Sequence, residues 1–301
     1  MTPPFIPFKA GEAVLDWIGL SDALAAGHKG ARAQIEDTFL YRGDDTILSR
    51  AAWIDGLGAL VKTATIFPDN VDVPTINGGV SLFDDADGTL AANIDFHLVT
   101  KWKTAADSLL AARRLAPAGA QRILIVGAGT VARSIREAFG AGFPDAQFHI
   151  WNRSNHRATQ LATTWPDLRV EDDLETAVRA ADIIVGCTRT TDPWLQGDWL
   201  RPGQHVNLIG AYRPDMREAD DEAVRRAHLY VDSIDTTVGH IGELKIPLEA
   251  GTITHDQIRA DFYDLDAFAP DPEGITLFKN GGGAHLDLMT CRYILDRWQA
   301  Q

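Results

Sequence analysis

The chain has 301 residues, 45% hydrophobic and 23% charged, with a formal net charge of −14 at pH 7. This is ordinary globular material in an amount that suggests about two domains. The acidic balance argues against a nucleic-acid partner, which needs a basic surface, and no apolar run reaches the roughly 18 residues of a membrane helix. The start, MTPPFIPFKAGEAV, lacks the basic start and long apolar core of a signal peptide. Cys187 and Cys291 are too few for a disulfide framework or a cysteine-rich zinc site. A reducing cytoplasm is the expected setting.

Residues 1 to about 50 read as helix-like stretches mixed with loops. From 58 to 96 the texture is strand-like, in LVKTATIF and in GGVSLFDDADGTLAANID, where Asp87-Gly88 reads as a hairpin turn. A helix is predicted from 101 to about 115, with Thr100 as its N-cap and Trp102, Ala105, Ala106, Leu109 and Leu110 at helical spacing. Lys101 and Lys103 then fall in a first turn whose dipole favours anions. Such a pair makes sense where an anion is to be held, with Lys103 the candidate and Lys101 a solvated charge. APAGAQR reads as a hinge or linker.

Beyond it RILIVGAG, QFHIWN, DIIVGCT, HVNLIG and LYVDS read as buried strands, with helical patterns between several of them. Strands alternating with helices predict a parallel sheet of doubly wound, Rossmann type. The chain closes with a strand, a glycine cluster and a helix carrying Leu286, Met289, Tyr293 and Ile294 near one face. The fold class is therefore α/β, with an N-terminal α+β domain over 1–117, a Rossmann domain over 118–280, and a C-terminal helix over 281–301 that returns to the first domain.

VGAGTVA follows a strand and opens a helix, with Gly127, Gly129 and, in the third glycine position, Ala132. That context makes it a dinucleotide turn, whose glycines admit a pyrophosphate to the helix N-terminus. Gly127, Ala128, Gly129, Thr130 and Val131 are the candidate phosphate contacts, and Thr188, closing DIIVGCT, is taken with them. At the end of the second strand an NAD site usually offers Asp or Glu to the ribose 2′-hydroxyl. Here stand Asn152, Arg153, Ser154 and Arg157, a set suited to a 2′-phosphate. The expected cofactor is NADPH, with NADH weaker. The nine histidines show no helical pair, so no metal is expected.

The segments LVKTATIFPDN, PTINGGVSLFDDADGTLAANID, VTKWKTAAD, VGAGTVA, IGAYRPDMRE and FKNGGGAHLDL together resemble the ornithine cyclodeaminase and mu-crystallin family over nearly the whole chain. The family includes cyclodeaminases, imine and ketimine reductases, amino-acid dehydrogenases and thyroid-hormone-binding crystallins. The resemblance implies a substrate-binding, dimerising N-terminal domain and a homodimer. It also implies three cations for a substrate carboxylate: Arg50 in LSRAAW, Lys62 in LVKTATIFPDN, and Lys103 in place of a family arginine. Such a clamp fixes the α-carbon, and lysine keeps the charge of arginine while losing its fork. Asn70, Thr75, Tyr212, Gly282 and His285 are further pocket candidates, with Asp287 beside them.

The family's cyclodeaminases carry Asp two residues after the first glycine of a G-x-D-x-P-G-K-x-E motif, where this chain has Tyr212. The resemblance therefore points to reduction of cyclic 2-imino acids, Δ1-pyrroline-2-carboxylate to L-proline or Δ1-piperideine-2-carboxylate to L-pipecolate. The partner is then a small imino acid, with no nucleic acid and no membrane. Cyclodeamination, amino-acid dehydrogenation, and NADPH and ligand binding without turnover stand as alternatives.

Overall fold

A computed structural model describes residues 2–301, which form two compact units, one made of residues 2–106 with Gly282–Gln301 and the other of Asp107–Gly281. The first contains strand β1 (Phe5–Ile6), helices α1 (Phe8–Glu12) and α2 (Trp17–Gly27), and strands β2 (Gln34–Arg42), β3 (Asp45–Ile54), β4 (Gly58–Ile66), β5 (Ile76–Phe83) and β6 (Leu90–Asp95). The sheet order is β1-β6-β5-β4-β3-β2, with β1 parallel to β6 and the other neighbours antiparallel. β5 and β6 pair across the turn that holds Asp87 and Gly88, as the hairpin signal predicts.

Two strands correct the reading of the first 50 residues. β2 and most of β3 lie where helix-like stretches and loops are predicted. No residue of β2 is buried, so the period-2 pattern that marks a half-buried strand is missing there. In β3 it emerges only at Ala52 and Ile54.

Helix α3 (Phe96–Leu115) also starts earlier than predicted. Asp95 Oδ1 accepts from the backbone N–H groups of His97 (2.9 Å) and Leu98 (3.0 Å), so it does the work assigned to Thr100. Thr100 sits inside the helix, its hydroxyl donating to Phe96 O at 2.8 Å. The extra turn buries Phe96, Leu98 and Val99. Lys101 is not a free surface charge either, because it pairs with Glu12 at 2.7 Å.

Helix α10 (Ala284–Gln299) belongs to the same unit. Tyr293 donates to Asp16 Oδ2 at 2.8 Å and Arg297 Nε to Val14 O at 3.1 Å. Every residue from Ala284 to Cys291 is buried, so its first two turns are covered all round rather than along one face.

The second unit comprises β7 (Arg122–Val126), α4 (Thr130–Gly142), β8 (Gln147–Trp151), α5 (Asn155–Ala162), β9 (Arg169–Val170), α6 (Leu174–Ala180), β10 (Ile183–Gly186), β11 (His205–Leu208), α7 (Asp221–Arg226), β12 (Ala227–Val231), α8 (Ile234–Thr237), α9 (Gly242–Glu249), β13 (Ile258–Ala260) and β14 (Ile275–Lys279). Its eight strands are all parallel, in the order β13-β12-β14-β11-β10-β7-β8-β9. Parallel strands covered on both faces must be apolar throughout, and Ile123 to Val126 and Ile183 to Val185 are fully buried. From β7 the chain winds out through β8 and β9, then returns to lay β10 and β11 on the other side. This is the doubly wound order, and its switch point lies between the carboxyl ends of β7 and β10. No described helix is long and apolar enough to cross a membrane.

Candidate active site

Strand register in the first unit builds one half of the site. Asp37 on β2 stands opposite Arg50 on β3, and Arg50 opposite Lys62 on β4, in one row across the sheet. Side chains in one such row share a face. α10 meets that row. Lys62 Nζ donates to Asp287 Oδ1 at 2.8 Å, and Arg50 donates from Nη1 to Gly282 O at 2.9 Å and from Nη2 to Asp37 Oδ2 at 2.8 Å. Lys103 on α3 donates to the same Gly282 carbonyl at 3.0 Å. The structure thus brings together Arg50, Lys62, Lys103, Gly282 and, by way of Asp287, the start of the helix that carries His285.

The charges in this cluster do not cancel. Arg50 is matched by Asp37 and Lys62 by Asp287, whereas Lys103 makes no ion pair among the described residues. Lys62, Lys103 and Asp287 are all buried, so the cluster holds one surplus positive charge away from water. A buried unmatched charge is costly unless a partner arrives. Burial lowers the Lys62 pKa, opposed by Asp287 and reinforced by Lys103 and Arg50. Burial alone raises Asp287, but Lys62, Lys103 and Arg50 outweigh it and hold the carboxyl below its usual range. His285 is fully buried, edge-on to His28 at 5.2 Å. Burial, His28 and Lys103 push it well below the ordinary histidine range.

The second unit carries the dinucleotide turn. Gly127 leaves β7 with φ 115°, donates its N–H to Trp151 O at 2.9 Å, and passes so close to the next loop that a Cβ would lie 3.0 Å from Cys187 O. Gly129 is the N-cap of α4 and supplies no side chain, and the first turn from Thr130 and Val131 contains no acidic residue. These N–H groups are left for an anion, and a pyrophosphate fits them. Ala132, in the third glycine position, is fully buried. Past β8, Asn152 Nδ2 donates to Ser154 O at 2.9 Å and Ser154 occupies the N-cap of α5 without a side-chain hydrogen bond to it, while Arg153 and Arg157 are exposed and make no ion pair among the described residues. No carboxylate stands among these four.

Asn70 and Thr75 shape the β4–β5 loop: Asn70 Nδ2 donates to Pro74 O at 3.1 Å, and Thr75 O accepts from Phe67 N at 2.8 Å. Tyr212 is 51% exposed in the loop after β11. Asp215, three residues on, is held by Arg213 at 2.9 Å on the surface.

Sequence reasoning missed a set of buried charges in the second unit. Glu218, Asp232, Glu243 and Lys279 are all fully buried. Thr188 donates to Glu218 through both its N–H (2.8 Å) and its hydroxyl (2.6 Å). Asp232 accepts from Ser233 N and Gly281 N. Glu243 accepts from Glu218 N and Ala219 N, and burial pushes its pKa up to about 7 despite nearby Lys279. The runs MREADDE and GELK look like solvated faces, and only the motif ending at Glu218 offered a signal.

Residues 55–301 match the sequence model of the ornithine cyclodeaminase/mu-crystallin family. The chain is 45% identical over 303 aligned positions to the Delta(1)-pyrroline-2-carboxylate reductase of Paracoccus denitrificans, covering 97% of this chain and 96% of the relative. Among solved structures, the Thermococcus litoralis Delta(1)-pyrroline-2-carboxylate reductase in complex with NADH and L-proline aligns with a TM-score of 0.88 at 22% identity, over 98% of this chain and 97% of that one. An archaeal alanine dehydrogenase dimer with bound NAD gives 0.91, also at 22% identity, over 100% and 97%. The likeness to the two solved structures shows the fold. A family model spanning Lys62, Lys103, the dinucleotide turn and the C-terminal helix, joined to 45% identity with one relative over nearly the full length of both chains, places this chain in the ornithine cyclodeaminase/mu-crystallin family.

Proposed function

We propose that the chain reduces cyclic 2-imino acids, Δ1-pyrroline-2-carboxylate to L-proline and Δ1-piperideine-2-carboxylate to L-pipecolate, with NADPH as the reductant. A chain 45% identical over its length to a Delta(1)-pyrroline-2-carboxylate reductase is an oxidoreductase acting on carbon–nitrogen bonds. The observation that carries the substrate class is Lys103, the surplus buried cation beside Arg50 and Lys62. A substrate carboxylate restores the balance: Lys103 supplies the unmatched charge, Arg50 a two-pronged donor, and Lys62 an ammonium whose position Asp287 fixes. Held so, the imine carbon keeps one orientation, which is most of what hydride addition asks of the protein. The bound cofactor supplies the hydride. Tyr212 in place of the family aspartate favours reduction over cyclodeamination.

Support for NADPH comes from Arg153 and Arg157, exposed and without an ion pair among the described residues, where a carboxylate would greet NADH. The NADH and NAD of the two solved relatives make NADH the competing cofactor. We also infer a homodimer formed through the first unit. A spectrophotometric assay tests the function: purified protein should oxidise NADPH, and NADH more slowly, when given either imino acid. Absence of turnover with both ring sizes would overturn the reading, and ammonia release from ornithine would replace it with cyclodeamination.

A further inference from the structure

Glu218 closes the segment IGAYRPDMRE and is fully buried. Its Oε1 accepts from Thr188 N (2.8 Å), Thr188 Oγ1 (2.6 Å) and Trp194 Nε1 (3.3 Å), and its Oε2 from Gly210 N (2.6 Å). Thr188 lies in the loop after β10 and Gly210 in the loop after β11, so one carboxylate joins two neighbouring loops at the carboxyl end of the sheet. Its own backbone is fixed in turn, since Glu218 N donates to Glu243 Oε2 at 2.9 Å.

The packing around this carboxylate is tight. A Cβ on Gly210 would lie 1.8 Å from Thr188 O, and one on Gly186 would lie 2.8 Å from Glu218 Oε1. Buried Lys279 donates to Leu208 O, the last residue of β11, at 3.1 Å, and Glu243 and Glu218 oppose the lowering of its pKa by burial. The residue type is specified as well. Backbone N–H groups meet both oxygens, and only a carboxylate accepts on both, whereas glutamine would turn its amide N–H₂ toward one of them.

The pyrophosphate belongs at the α4 N-terminus and the adenosine ribose at the end of β8, which leaves the β10 and β11 side of the switch point for the nicotinamide half. We propose that Glu218 is a positioning residue whose carboxylate sets the separation of the Thr188 and Gly210 loops and thereby the grip on the nicotinamide half of the dinucleotide. The proposal rests on the reading of the second unit as a dinucleotide-binding domain.

The test compares the whole dinucleotide with its adenosine end. Wild type is titrated with NADPH and NADH, and Glu218→Gln with whichever binds tighter and with the matching fragment, 2′,5′-ADP or ADP. The variant should bind the dinucleotide about tenfold more weakly, the range expected for losing a hydrogen bond to a charged acceptor, with fragment affinity within about twofold of wild type. Equal loss for dinucleotide and fragment marks a merely structural role and overturns the proposal, as does unchanged dinucleotide affinity in a folded variant. If neither dinucleotide binds wild type, the domain reading fails and takes this proposal with it. Should Glu218→Gln not fold, Trp194→Phe removes one donor to the same cluster. It should weaken dinucleotide but not fragment binding by about threefold, and no change overturns the proposal.

Discussion

Lys62 shows how much a single buried residue depends on its neighbours. Burial and two nearby cations lower its pKa, and Asp287 is the main influence keeping the ammonium charged. Asp287→Asn removes that support, so the Lys62 pKa falls further. If the ammonium helps to hold the substrate carboxylate, kcat/KM declines on the alkaline side as Lys62 loses its proton, and in the variant that decline moves to lower pH. An unmoved alkaline limb contradicts this role. The stability consequence has its own sign. Asp287 has a depressed pKa in the fold, so its contribution is complete above the unfolded carboxylate's range and is lost as pH falls through the folded value. Urea melts across acidic pH should show a smaller loss in Asp287→Asn than in wild type, the remainder coming from other carboxylates with lowered pKa such as Asp182. In the second unit, the proposed preference for NADPH rests on Arg153 and Arg157. Replacing both with Ala should raise the KM for NADPH by about tenfold or more, the worth of charge-assisted contacts to a phosphate, with the KM for NADH little changed. Parallel changes in the two KM values would remove the arginines from the 2′-phosphate site.

At the scale of elements, α3 shows where local reading succeeds and where it stops. Its apolar spacing from Trp102 to Leu110 was legible, and its beginning was not, because Asp95 and Thr100 are both good caps and nothing local decides between them. Burial of Phe96, Leu98 and Val99 decides. Asp95→Ala should therefore cost about 0.5–2 kcal/mol, read as a fall in denaturation midpoint, and Thr100→Ala much less, since its hydroxyl bonds only the preceding turn. The reverse order would restore the cap to Thr100. The strands of the second unit were legible for a different reason. Runs such as RILIV and DIIVG are apolar throughout, as buried parallel strands must be, whereas β9 and β13 span only Arg169–Val170 and Ile258–Ala260 and leave no pattern. Asp37 escaped notice because its strand did, and its pairing with Arg50 exists only through register. Glu218 and Glu243 were hidden by composition, since a carboxylate in a charged run looks solvated until the backbone N–H groups that surround it are known.

For the whole molecule, the decisive surface is the face of the first sheet opposite the cation row. Register places Leu40 against Ile47, and Ala51 against Val61, with Trp53 two residues along β3 on the same side. Leu40 is 62% exposed, Trp53 53% and Val61 39%, and Phe5, in the row with Val61, is 62% exposed. A concavity of about 470 Å³ opens on this face, lined by Phe5, Val61, Thr63 and Ser81 among others. A chain of net charge −14 gains solubility from its charge, yet it leaves this apolar ground uncovered and carries β2 as a nine-residue edge strand. Exposed apolar patches of this kind, beside an unpaired strand edge, mark an association surface. A second copy of the chain suits it, because a two-fold axis brings identical apolar faces together without asking for a different partner. Light scattering behind size exclusion should give twice the chain mass at micromolar concentration. Leu40→Glu with Trp53→Glu should give the single-chain mass by placing like charges across the axis, with kcat for NADPH oxidation as the control that the fold survives. Dimer mass retained in that double variant would move the association surface elsewhere on the chain.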